Sequence, residues 1–102
     1  MKLLTVTAVK EYSKDVATIF KKAGIHVFSV TDIVGFKEGV DENMMDSWFG
    51  RSDPRFDSVF LFSFTADEKA TTALQLIREY NQQHPGDFPL RGFTLTVDNS
   101  TN

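Results

Sequence analysis

The sequence predicts an α+β domain with the element order β-α-β-β-α-β. Three observations lead to it. Four segments are rich in β-branched and aromatic residues with strand-like alternation, two others carry apolar residues at helical spacing, and each helical segment follows an odd-numbered strand. This order is the split-βαβ, or ferredoxin-like, plan: a four-stranded antiparallel sheet with two helices on one face.

Each element has its own signal. Residues 3–9 alternate, with Leu4, Val6 and Ala8 on one side and Leu3, Thr5, Thr7 and Val9 on the other, which predicts a strand. Ser13 is placed to cap a helix over residues 14–23, with Asp15 near its positive end. Val16, Ile19, Phe20 and Ala23 form its apolar face, and Gly24 supplies the stop. Residues 25–34, "IHVFSVTDIV", read as the second strand, ending at Gly35. Residues 58–65, "SVFLFSFT", read as the third, with Phe60, Phe62 and Phe64 on one face and Val59 and Leu61 on the other. Thr65 followed by Glu68 three residues on has the form of a capping box. Ala70, Ala73, Leu74, Ile77 and Tyr80 then make one helical stripe that fades near Gln83, before Pro85. Residues 92–98, "GFTLTVD", give a short last strand.

At 102 residues the chain is read as one domain over residues 1–98, with a polar tail at 99–102 and a long loop at 36–57. That loop has no clear period of either kind, and a structureless stretch of this length is usually functional or disordered. The composition, 41% hydrophobic and 25% charged, is that of an ordinary globular domain. A net charge of −3 argues against a nucleic-acid partner, which calls for a basic face. With no cysteine, disulfides, thiolate nucleophiles and Cys-based metal sites are excluded. No stretch approaches the ~18 apolar residues of a membrane helix, and the N-terminal apolar run is broken within a few positions, so a cytoplasmic location is expected.

The third strand carries a second message. Two helices cover one face of a sheet, yet this strand is apolar on both. Its Phe-rich face contributes about 1.5–3 kcal/mol per fully buried ring once covered. An apolar open face needs another cover. The expected cover is another copy of the same sheet, which predicts a homo-oligomer; the alternative is a monomer whose long loop folds back over that face.

The stretch "AGIHVFSVTDIVGF" resembles the nitrogen-regulatory PII signalling family at Gly24, Ile25, Ser29, Val30, Thr31, Asp32, Ile33, Gly35 and Phe36. The resemblance covers nearly the whole chain in element order and includes the loop length and the Asp67-Glu68 start of the second helix. It implies a homotrimer with sheets packed inward and a ligand cleft between subunits that takes adenine nucleotides in well-studied members. It also implies a mobile loop that engages a membrane transporter or other regulated protein, and no enzymatic activity. Carried over position by position, it implies a ligand role for Ser29 near the adenine, for Gly35 and Phe36 with Lys37 and Gly39 at the loop entry, and for Arg91 where the family has a phosphate-contacting lysine. Gly86, in "PGD", stands for the family's glycine-rich turn before that lysine.

The departures from the pattern are specific. The glutamine that follows the loop-entry Gly-Phe in the family is absent, since Lys37, Glu38 and Gly39 stand there; the lysine at the head of strand three is Ser58. The C-terminal arginines of the family have no counterpart, and the loop has no tyrosine to modify. These changes argue against ATP and 2-oxoglutarate binding of the usual kind.

Within the loop, Met44, Met45, Trp48 and Phe49, with Arg51 and Arg55, form a candidate partner-binding element, in which Trp48 has the size and amphipathic character of an interface anchor. The same residues also suit packing within an oligomer. Lys37, Arg51, Arg55 and Arg91 are the cations near the expected cleft; arginine suits bidentate recognition of phosphate or carboxylate, and each also suits a plain surface role. Met44 and Met45 are soft donors, so a copper-type metal-tolerance protein of the same fold is the alternative function. His26 and His84 have no ligand spacing, and no acid-base pair, Ser-His-Asp order or glycine-rich phosphate loop supports catalysis.

Overall fold

The computed structural model describes residues 1–36 and 55–101. Four strands, β1 (Lys2–Val9), β2 (Ser29–Phe36), β3 (Arg55–Thr65) and β4 (Arg91–Thr96), form one sheet in the order β2-β3-β1-β4. All neighbours are antiparallel. Helix α1 (Ser13–Lys22) follows β1, and α2 (Asp67–Gln83) follows β3. The expected β-α-β-β-α-β order is therefore realised.

The register assigns each side chain to a face. Val6 opposite Leu61, with Leu4 and Ala8 beside Ser63 and Val59, lines the helix side. There these residues pack with Val16, Ile19 and Phe20 of α1 and Ala73 and Ile77 of α2 into one buried core. Ser63 is a polar residue within this apolar surface; its hydroxyl donates to the Val27 carbonyl at 2.7 Å, so the buried oxygen is satisfied. The helices do not reach all of β2: Val30 and Val34, on its helix side, stay about half exposed.

Helix α1 ends in a Schellman motif. Gly24 adopts φ +82°, Gly24 N–H donates to the Lys21 carbonyl at 3.0 Å, and Ile25 N–H donates to the Phe20 carbonyl at 2.8 Å. The buried contact of Ile25 with the core accompanies it. Asn81 fixes the far end of the molecule. Its amide donates to the Leu90 carbonyl at 2.8 Å, and its carbonyl accepts from Leu90 N–H at 2.9 Å. One side chain thus serves as the ladder partner of the residue that leads into β4.

Four expectations need correction. Ser13 is the first residue of α1, not its cap, because a 3-10 turn over Lys10–Tyr12 runs directly into the helix. Thr65 is not a cap either: it is held in the ladder opposite Lys2, so Ala66 takes the cap position without a side-chain bond. Strand β2 begins at Ser29 rather than Ile25, since residues 25–28 are used to leave the Schellman turn. Strand β3 begins at Arg55 rather than Ser58, because residues 55–57 pair with β2.

The two helices are joined by an aromatic seam. The Tyr12 and Tyr80 rings meet edge to face at 6.3 Å, and His84 stacks on Tyr80 at 4.1 Å. The Tyr80 hydroxyl donates to Asp15 at 2.5 Å. Burial, and then the Asp15 carboxylate that accepts this bond, push the Tyr80 phenol from 10.0 up to about 12. A group whose pKa rises on folding stabilises the fold fully below its unfolded value and loses that contribution as pH climbs through the folded one. Stability is therefore expected to fall between pH 10 and about 12, and Tyr80→Phe to flatten that decline in urea unfolding curves. An unchanged decline in the variant would contradict the seam.

Candidate functional site

The four strands contribute to one hollow at one end of the sheet. The last residues of β1 (Thr7, Ala8, Val9) and β2 (Ile33, Gly35, Phe36) meet the first of β3 (Phe56, Ser58) and β4 (Arg91) there. Asp87, Phe88 and Pro89, from the connection between α2 and β4, close the rim. The cavity measures about 380 Å³, within the range of small-molecule sites.

The register explains the convergence. Gly35 pairs with Phe56, Val9 with Ser58 and Thr7 with Arg91, and all six lie on the face away from the helices. Gly35 has a steric reason to be glycine: a Cβ there would sit 2.5 Å from Cζ of the Phe56 ring. The ring of Phe56 lies over the bare backbone of Gly35, an aromatic filling the space of a missing side chain across the ladder. Phe88 reaches this ring from the rim, with centroids 4.9 Å apart. The floor is apolar, with the hydroxyl residues Thr7 and Ser58 on it. Asp87 and Arg91 are the charged residues among the described lining.

Of the residues expected to bind a ligand, the structure brings Gly35, Phe36 and Arg91 together in this hollow. Ser29 is not with them. It opens β2 and pairs with Phe62, six residues from Gly35 and hence about 20 Å away along the strand. Gly86 lies just outside the lining, with open space where a Cβ would go. Arg55 is the first residue of β3, opposite Phe36. Lys37, Gly39, Met44, Met45, Trp48, Phe49 and Arg51 fall outside the described residues. The long connection itself spans residues 37–54, since Phe36 belongs to β2 and residues 55–57 to β3.

Sequence reasoning missed Phe56, Phe88 and Asp87. The signal for Phe56 was a phenylalanine facing a glycine across a ladder, which becomes visible only once the register is known. Among the described residues no group of three or more His, Asp or Glu is placed to hold a metal ion, and no helix is long and apolar enough to cross a membrane.

No protein-family model matches the chain, and no curated protein matches it in sequence. Among solved structures, a PII-like signalling protein from Thermus thermophilus matches with a TM-score of 0.66 over 94% of this chain and 85% of that one, at 20% identity. The chain has the PII-like fold. CPII, a nitrogen regulatory PII-like protein from Thiomonas intermedia in a structure bound to ADP, AMP and bicarbonate, matches with a TM-score of 0.59. That match covers 94% of this chain and 92% of CPII, at 10% identity.

The Gly35–Phe56 contact has a measurable consequence. Gly35→Ala forces the Phe56 ring aside and is expected to cost about 1–3 kcal/mol in urea unfolding. The same substitution in a Phe56→Ala background should cost much less, because the clash is gone. Equal costs in the two backgrounds would show that the ring is not what requires the glycine.

Proposed function

We propose that this chain is a PII-like signalling protein that binds a small anionic ligand in the hollow at the end of its sheet. The observation that carries this reading is the convergence of Gly35, Phe36 and Arg91, three residues singled out by the resemblance, on one cavity. The ligand changes the population of states of the connection over residues 37–54, and that segment binds or releases a partner, a membrane transporter or another regulated protein. Such coupling requires the ligand to bind one state of the segment more tightly than the other. The protein acts in the cytoplasm by binding rather than by catalysis.

The assembly is a homotrimer with sheets packed inward. Two features support it. On the face away from the helices, Phe64, Phe93 and Leu95 are 58%, 59% and 53% exposed in the single chain, an apolar surface that calls for a cover. Ser29 and Gly35 lie too far apart in one chain to touch one small ligand, whereas a cleft between subunits can draw on the β2 start of one copy and the β2 end of its neighbour.

The lining argues for a modest ligand charge. Among the described lining residues Arg91 is the one cation and Asp87 opposes it, a poor match to a triphosphate. CPII, of the same fold, was bound to ADP, AMP and bicarbonate. A nucleoside monophosphate is accordingly favoured over ATP. Calorimetry with AMP, ADP, ATP and cyclic dinucleotides tests this. AMP is expected to bind more tightly than ATP, and Arg91→Ala to weaken it by about 10-fold or more, the usual scale for losing a charge-assisted hydrogen bond. No heat with any of these would overturn the nucleotide reading.

A further inference from the structure

Among the described residues two polar side chains are buried, Ser58 and Ser63, each 4% exposed. They differ in what meets them. The Ser63 hydroxyl faces the helix side and donates to the Val27 carbonyl at 2.7 Å. Ser58 faces the other side, in the floor of the hollow, and its hydroxyl has no hydrogen-bond partner among the described residues. Its surroundings are apolar. Val9 and Ile33 stand opposite it in the flanking strands, and Phe56 and Phe60 are its neighbours along the same face of β3. No fully sealed side-chain oxygen or nitrogen is left unpaired among the described residues, so this hydroxyl opens on the hollow rather than into closed packing.

A polar group held in an apolar floor without a partner lowers stability, and such groups are kept where they serve recognition. Resting on the reading of this hollow as the ligand site, we propose that the Ser58 hydroxyl is its specificity-determining group and hydrogen-bonds a neutral polar edge of the ligand. The edge is neutral because a lone hydroxyl among apolar side chains does not compensate the desolvation of a charge. Arg91, the cation among the described lining residues, stands two strands across and two residues along, about 12 Å away between Cα atoms. The long arginine side chain covers part of that span, and an apolar body about one ring long covers the rest, over Val9. The ligand class is therefore two-ended: an anionic group at Arg91, a flat apolar middle, and an uncharged hydroxyl, amino or carbonyl group at Ser58. A ligand without that last group seals the hydroxyl unpaired beneath it, and the site rejects it for that reason.

Phenyl phosphate and 4-hydroxyphenyl phosphate differ only in the polar edge. Both, and AMP, are titrated into the full chain, Ser58→Ala and Arg91→Ala, followed by NMR at the Gly35 and Phe36 amides. The wild type is expected to bind the hydroxylated probe about 10-fold more tightly than phenyl phosphate, the scale of a buried hydroxyl paired rather than sealed. Ser58→Ala is expected to erase that preference, and Arg91→Ala to weaken both probes while keeping it. Urea unfolding of the free chain gives a second readout. Ser58→Ala is expected to hold or raise the midpoint, whereas Ser63→Ala, which strips the Val27 carbonyl of its donor, lowers it. If the preference appears and Ser58→Ala removes it while no form binds AMP, the role of Ser58 stands and the nucleotide reading fails. If AMP binds and Arg91→Ala weakens it, but Ser58→Ala leaves the ratio of the two phenyl phosphates unchanged, the nucleotide reading stands and the role of Ser58 fails. A lowered midpoint in Ser58→Ala would show that the hydroxyl is bonded within the protein and overturn the proposal, as would no response to either phenyl phosphate.

Discussion

The structure depends on a third strand that is apolar on both sides. Val59 and Leu61 complete the core beneath the helices, while Phe60, Phe62 and Phe64 run along the opposite face with successive ring centroids 5.6 and 6.4 Å apart. A strand with one polar face can end its obligations with the core. This one cannot, because a row of phenylalanines in water forgoes about 1.5–3 kcal/mol per ring that burial would provide. The central position of β3, hydrogen-bonded to β2 on one side and β1 on the other, fixes that row in the middle of the open face. Leu95 and Phe93 extend it through β4. The same strand starts the hollow with Phe56, so the hollow and the open face are parts of one surface.

This arrangement explains why the site lies where it does. In an antiparallel sheet of this order, the ends of β1 and β2 and the starts of β3 and β4 come to one edge. Residues far apart in sequence, Thr7, Gly35, Ser58 and Arg91, become neighbours there through ladder pairing rather than through flexible loops. A hollow built on strands is held more precisely than one built on connections. The less regular wall is the 84–90 connection, latched at Leu90 by both polar atoms of Asn81. The Gly35–Phe56 pair shows the same economy of space: what the glycine leaves open, the ring fills.

Much of the fold was legible in the residues because alternation and helical spacing were consistent with each other. Leu4, Val6 and Ala8, and likewise Val16, Ile19 and Phe20, are buried as their periods predict. Element ends were harder. Ser13 and Thr65 have the chemistry of caps, but a preceding 3-10 turn and a strand ladder claim their backbones first. The cation at Arg91 and the Gly35-Phe36 pair were legible through resemblance. The partnership of Phe56 and Phe88 was not, since nothing in the local sequence links residues that meet only through strand register and the folding back of a connection.

In the proposed assembly, the Phe-bearing face is covered by further copies of the chain. Sedimentation velocity of the full chain at micromolar concentration tests it directly, with Phe62→Asp as the companion variant. A trimer that the substitution dissociates is the predicted result. A wild-type chain that sediments only as a monomer would contradict the account.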